Sequence, residues 1–94
     1  SIDSLNAFAY SNRGLILLEM NGPQAAQKDL DRAIELNNQV AELYFNRATY
    51  YDVLGQYDKS IADYAKAQDL APNYKTKEIL KLLKAAKRNF LKAN

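Results

Sequence analysis

Residues 41–74 read AELYFNRATYYDVLGQYDKSIADYAKAQDLAPNY, and the spacing of small and aromatic side chains in this stretch decides the fold. Tyr44, Ala48 and Tyr51 follow one another at steps of four and three, and Ser60, Tyr64 and Ala67 repeat those steps. Such steps stack side chains on one face of an α-helix. Gly55 and Gln56 separate the two stripes, and a glycine suits a helix end that must turn through the left-handed conformation. Two helices joined by a tight turn are therefore predicted. Asp58 offers an oxygen to cap the second helix, which is expected to begin after Tyr57. Pro72 disfavours helix at the residue before it, so that helix stops there.

Shifted by 34 residues, the stretch matches the segment before it. Ala7 aligns with Ala41, Tyr10 with Tyr44, Asn12 with Asn46, Arg13 with Arg47, Asp29 with Asp63, Ala33 with Ala67 and Leu36 with Leu70. The first unit carries Asn21, Gly22 and Pro23 at its turn, where Gly22 suits a helix end and Pro23 a first helical turn. Beyond Tyr74, Ile79, Leu82, Leu83, Ala86 and Phe90 mark a third amphipathic stripe, one residue later than a strict repeat would put it. Five helices are predicted, at roughly 5–20, 24–37, 40–54, 58–70 and 75–92, within one all-α domain spanning 1–94.

Composition narrows the chemistry. The chain has no cysteine and no histidine, which removes thiolate nucleophiles, disulfides, the commonest general base and the best transition-metal ligands. Catalysis, a metal site and a cofactor are accordingly not expected. Asp29, Asp31 and Glu35 read as solvent-facing carboxylates. The longest apolar run, Leu15 to Leu18, is far below the roughly 20 residues that span a bilayer. With no leader after Ser1, the chain reads as an intracellular, cytoplasmic piece of something longer. The net charge of +2 hides an asymmetry: residues 1–74 hold 6 basic and 10 acidic side chains, residues 75–94 hold 7 and 1. The last helix is thus strongly positive beside an acidic body.

A 34-residue helix-turn-helix unit with these small and aromatic places resembles the tetratricopeptide repeat family. The resemblance divides the chain into repeats 7–40 and 41–74 and a capping helix 75–92, forming a short right-handed superhelical solenoid. It departs at Asn38, where the second unit has Pro72, at Pro23, where it has Tyr57, and at Arg13 and Arg47, where the family usually has leucine. The arginine stems are expected to cover apolar surface, and Tyr10, Tyr44, Tyr51, Tyr57 and Tyr64 to fill the core.

In that family the first helix of each repeat lines a concave groove, which implies a peptide-binding set of Phe8, Ser11, Asn12, Leu15, Phe45, Asn46 and Thr49, with Lys77, Lys81 and Lys84 along one wall. The implied function is a non-catalytic scaffold that binds a partner protein or peptide segment, and the basic wall points to one of acidic or mixed character. Some members clamp a C-terminal carboxylate of heat-shock chaperones, but Ser11 and Leu15 stand where that clamp begins with Lys and Asn. Two alternatives accompany this expectation. The end near Leu5, Phe8, Leu15 and Leu18 is a candidate for self-association, because short repeat arrays bury their faces only on neighbours. The basic last helix is a candidate for nucleic acid or anionic membrane, although the acidic body opposes a polyanion and aromatic residues are scarce there.

Overall fold

A computed structural model describes residues 2–93, which form five helices: α1 (Ile2–Glu19), α2 (Pro23–Leu36), α3 (Ala41–Val53), α4 (Tyr57–Leu70) and α5 (Thr76–Ala93). No strand occurs among the described residues. α1 and α2 make one hairpin and α3 and α4 a second; α3 rests on both helices of the first, and α5 packs on α4 as α3 packs on α2. The resulting right-handed stack measures 41 × 31 × 17 Å, its thinnest dimension matching two helical layers spaced about 8–10 Å apart.

The alanines explain how the layers close. Ala7, Ala26, Ala33, Ala48 and Ala67 are wholly buried, and Ser60 repeats the Ala26 place in the second hairpin. Helix axes approach closely where the contacting side chains are this small. Gly14 takes the idea furthest: a Cβ there would stand 2.8 Å from Leu30 Cγ. Leu30, Leu43 and Ile79 are each at most 1% exposed, and burial of that kind stabilises by about 1.5–3 kcal/mol per side chain.

Both hairpin turns use one device. Asn21 (φ 63°) and Gly55 (φ 72°), 34 positions apart, take the left-handed conformation. In the first turn the Gly22 and Asn21 N–H groups donate to the Leu17 and Leu18 carbonyls, and in the second Gln56 and Gly55 donate to Tyr51 and Asp52. This pattern satisfies carbonyls that the ending helix leaves unpaired. The left-handed residue of the first turn is thus Asn21 rather than Gly22, since an asparagine tolerates positive φ. Pro23 does open α2. Asp58, expected as a cap, lies inside α4 after Tyr57 and makes no capping bond; Gln56 holds the cap position.

α5 begins one residue later than a strict repeat, in keeping with its stripe. Lys75 absorbs the extra residue at φ 46°, and the Thr76 hydroxyl donates to the Pro72 carbonyl at 2.7 Å. Ile79 then enters the cluster of Ala41, Tyr44, Phe45, Ala48, Tyr64 and Ala67, with Leu82 and Leu83 against it. α5 closes the core of the second hairpin.

Candidate functional site

The ten residues expected to line the groove divide into two groups. Ser11 is fully buried and Asn46 9% exposed, and the Asn46 Nδ2 donates to Ser11 Oγ at 2.8 Å. Phe45 is 7% exposed, edge-on to Tyr64 and Tyr74 at centroid distances of 5.8 and 6.1 Å. These three make contacts within the fold: Asn46 and Ser11 join α1 to α3, and Phe45 joins α3 to α4. The reason is proximity, because facing polar groups on helices this close bond each other rather than remain unpaired. Asn12 and the α5 lysines Lys77, Lys81 and Lys84 are exposed, while Phe8, Leu15 and Thr49 are half-buried. Phe8 leans on the cluster of Ala7, Ala33 and Leu43, and the Thr49 hydroxyl donates to the Phe45 carbonyl at 3.1 Å.

Sequence reading misses Lys75. Its ammonium lies 4.6 Å from the centroid of the Phe45 ring and 5.7 Å from that of Tyr74, which brings a cation to the α3 surface. Cation–π contacts at exposed sites are worth about 0.5–1 kcal/mol. The left-handed backbone that directs Lys75 there follows from the one-residue delay of α5, a delay visible in the stripe. Beneath it the Tyr74 hydroxyl is buried without a hydrogen-bond partner. Burial, with the Glu42 and Glu78 carboxylates nearby, pushes its pKa up to about 12.

The arginines do more than cover apolar surface. Arg13 donates through Nε and Nη2 to Asp29 at 2.6 and 2.8 Å, and Arg47 donates through the same atoms to Asp63 at 2.7 and 3.0 Å. Asp29 is therefore a buried partner, 6% exposed, and not the solvent-facing carboxylate its helical place suggests. Arg47 adds a third bond, from Nη1 to Asp31 of the first hairpin at 3.0 Å, while its guanidinium carbon lies 5.8 Å from the Tyr44 and Tyr51 ring centroids. The Arg13 fork holds the Asp29 carboxyl below its usual range against the opposing effect of burial. The Asp63 bonds raise the Arg47 pKa further above an already high value. The signal is present in the sequence, since Arg13–Asp29 and Arg47–Asp63 recur together at the 34-residue offset.

A recess of about 690 Å³ lies between α1 and α2, away from the expected groove residues. Tyr10, Arg13 and Leu17 form one side, and Lys28, Asp29 and Arg32 contribute to the other. A smaller one of about 190 Å³ adjoins it at Asn6, Ala9, Tyr10 and Arg13. Leu5, Ile16 and Met20 are the exposed apolar side chains of this end, at 71, 55 and 73%, whereas Phe8, Leu15 and Leu18 are half-buried. Among the described residues no three acidic side chains gather where they could hold a metal ion. No described helix is long and apolar enough to cross a membrane.

Comparison with known proteins agrees with this geometry. Residues 9–40 and 41–74 each match the tetratricopeptide repeat. The chain is 35% identical over 63 residues to serine/threonine-protein phosphatase T of Trypanosoma brucei brucei, a match covering 67% of this chain and 13% of that protein. It is 31% identical over 72 residues to human tetratricopeptide repeat protein 6, covering 77% of the chain and 14% of the relative. It is 30% identical over 71 residues to a DnaJ homolog subfamily C member 7 homolog of Dictyostelium discoideum, covering 76% and 13%. The crystal structure of MamA protein superposes with a TM-score of 0.70 at 31% identity, over 97% of this chain and 54% of that one. The matched region is thus a small part of each of these relatives and about half of the solved chain. With two consecutive repeat matches and a stack of five helices, the chain belongs to the tetratricopeptide repeat family, whose repeats generally mediate protein–protein interaction.

Proposed function

We propose that the chain is a non-catalytic scaffold that holds an acidic or mixed peptide segment of a partner protein across the exposed inner side of α1, α3 and α5. Lys75 over the Phe45 ring carries the reading, because it sets a positive charge against an otherwise apolar and amide-bearing surface. Asn12 is exposed and makes no hydrogen bond to another described residue, so both halves of its amide are available to a peptide backbone. Phe8, Leu15 and Thr49 offer partial apolar surface beside it. Lys77, Lys81 and Lys84 supply the flanking charge on α5.

A charge-assisted hydrogen bond contributes about 1.5–3 kcal/mol when desolvated, whereas exposed pairs contribute nearer 0–1 kcal/mol. Several weak lysine contacts therefore give a preference for acidic segments and a dependence on salt, with orientation set by Asn12. An array of acidic and apolar peptides, followed by fluorescence anisotropy on the strongest binders, tests the reading. Asn12→Ala combined with Lys77→Glu and Lys81→Glu is expected to weaken binding by about 10- to 100-fold. Lys66→Glu on the exposed side of α4 is expected to leave it unchanged. Equal binding by the triple variant and the unaltered chain removes the groove from consideration.

A further inference from the structure

We infer that Asn21 is a self-modification site: the Gly22 backbone nitrogen displaces its carboxamide as ammonia, and the first hairpin turn is the gate that sets the rate. Asparagine is a chemically labile residue, and its lability depends on how freely the next backbone nitrogen can reach its side chain. Glycine, with no Cβ, hinders that approach least. Asn21 is the one asparagine of the chain that a glycine follows. It is exposed and makes no side-chain hydrogen bond to another described residue, so neither burial nor a partner holds its carboxamide.

The internal repeat shows that this exposure belongs to the turn and not to the end of the stack. The second hairpin has helices of the chain packed on either side, α2 against α3 and α5 against α4, yet Leu54, Gly55 and Gln56 in its turn are exposed. The turns thus lie on the edge of the stack, open to water whatever covers its faces. The repeat also supplies a contrast. Gly55 (φ 72°) fills the left-handed place of the second turn with no side chain, whereas Asn21 (φ 63°) fills that of the first with a carboxamide. Gln56 stands where Gly22 does.

The reaction balances with water as its only co-reactant. The Gly22 nitrogen gives its proton to solvent and attacks Asn21 Cγ. The N–Cγ bond forms, the Cγ–Nδ2 bond breaks, and Nδ2 leaves as ammonia with a proton taken from solvent. Water then adds to either carbonyl of the five-membered imide and opens it to aspartate or isoaspartate, with no change in oxidation state. In the closed turn the attacking nitrogen is held: its N–H donates to the Leu17 carbonyl at 2.8 Å, the Asn21 N–H donates to Leu18 at 3.1 Å, and the Gly22 carbonyl accepts from the Ala26 N–H at 2.9 Å. Attack therefore proceeds from the locally opened turn. Isoaspartate places an extra backbone carbon between the two N–H groups that cap α1, so the turn cannot reclose on the same bonds. One slow chemical event loosens the join between α1 and α2.

The test is incubation of the whole chain in warm, mildly alkaline buffer, folded and in guanidinium chloride, followed by peptide mapping with mass spectrometry and enzymatic methylation of isoaspartate. Asn21 is expected to deamidate ahead of every other asparagine in both states, more slowly when folded. The slowing is expected to match the amide-exchange protection of Gly22 within about threefold, because both events free the same N–H. Asn21→Gly with Gly22→Gln, which copies the second turn, is expected to remove the reaction and to leave the chain's melting temperature unchanged by ageing, whereas the unaltered chain melts lower once aged. Gly55→Asn with Gln56→Gly, which copies the first turn, is expected to create a second site. A folded chain that keeps Asn21 intact while the unfolded chain loses it, or that loses it at the unfolded rate, overturns the inference. So does a second turn that stays intact after the transplant.

Discussion

Arg47 occupies a place where an aliphatic side chain would pack, and what it does instead is local electrostatics. Its fork on Asp63 is bidentate, its remaining nitrogen reaches Asp31, and its side chain is 21% exposed. Removing Asp63 leaves the half-buried Arg47 guanidinium with Asp31 alone as its carboxylate partner, so Asp63→Ala is expected to destabilise by about 1–3 kcal/mol in urea denaturation. Replacing both partners, with Arg47→Met and Asp63→Leu, is expected to come within about 1 kcal/mol of the original, because apolar packing substitutes for a buried ion pair. Asp29 adds a pH dependence of definite sign. Arg13 lowers its folded-state pKa, so its contribution is complete above the unfolded carboxylate value near about 4 and is lost as pH falls through the depressed folded value. Asp29→Asn is expected to lower stability at neutral pH and to flatten the acid limb of a stability-versus-pH curve. A variant whose acid limb keeps its slope would show that the pair carries no linked proton.

Each hairpin is held by a close approach that one residue limits. Gly14 meets Leu30, and Gly14→Ala would gain about 1 kcal/mol of helix propensity while forcing a fully buried leucine to move. The steric loss is expected to exceed the gain, giving a net destabilisation of about 1 kcal/mol, although alanine stands at the equivalent Ala48. Ile79 is the element-scale anchor of α5, and Ile79→Ala is expected to cost about 2–5 kcal/mol and to loosen α5 first, seen as faster amide exchange in residues 76–93. The elements themselves were legible, because the 34-residue match and the three- and four-residue steps survive in the sequence. The buried bonds were less so. Asp29 and Ser11 sit on helices at places whose exposure depends on what the neighbouring helix brings near, and Arg13 meets Asp29 across 16 residues of chain. An asparagine at Asn46 is equally suited to a ligand and to Ser11, and only the distance between α1 and α3 decides.

At the scale of the whole molecule, the two hairpins and α5 leave two surfaces of different character. The side of α1 and α3 that bears Asn12 and Phe45 has an exposed amide and the Lys75 cation, and α5 carries exposed lysines; the outer side of α1 has an apolar stripe interrupted by one arginine. The charge asymmetry along the chain makes the first of these salt-sensitive, with affinity for acidic peptides expected to fall several-fold between low and physiological ionic strength as exposed charges are screened. The central claim is that a partner peptide lies on the side bearing Asn12 and Phe45. The most direct measurement is a backbone and side-chain amide nuclear magnetic resonance titration of the labelled chain with the strongest acidic–apolar peptide. Shifts concentrated at Phe8, Asn12, Leu15, Thr49, Lys77 and Lys81 are predicted. Shifts confined to the exposed sides of α2 and α4, or to Ile16 and Met20 alone, would contradict it.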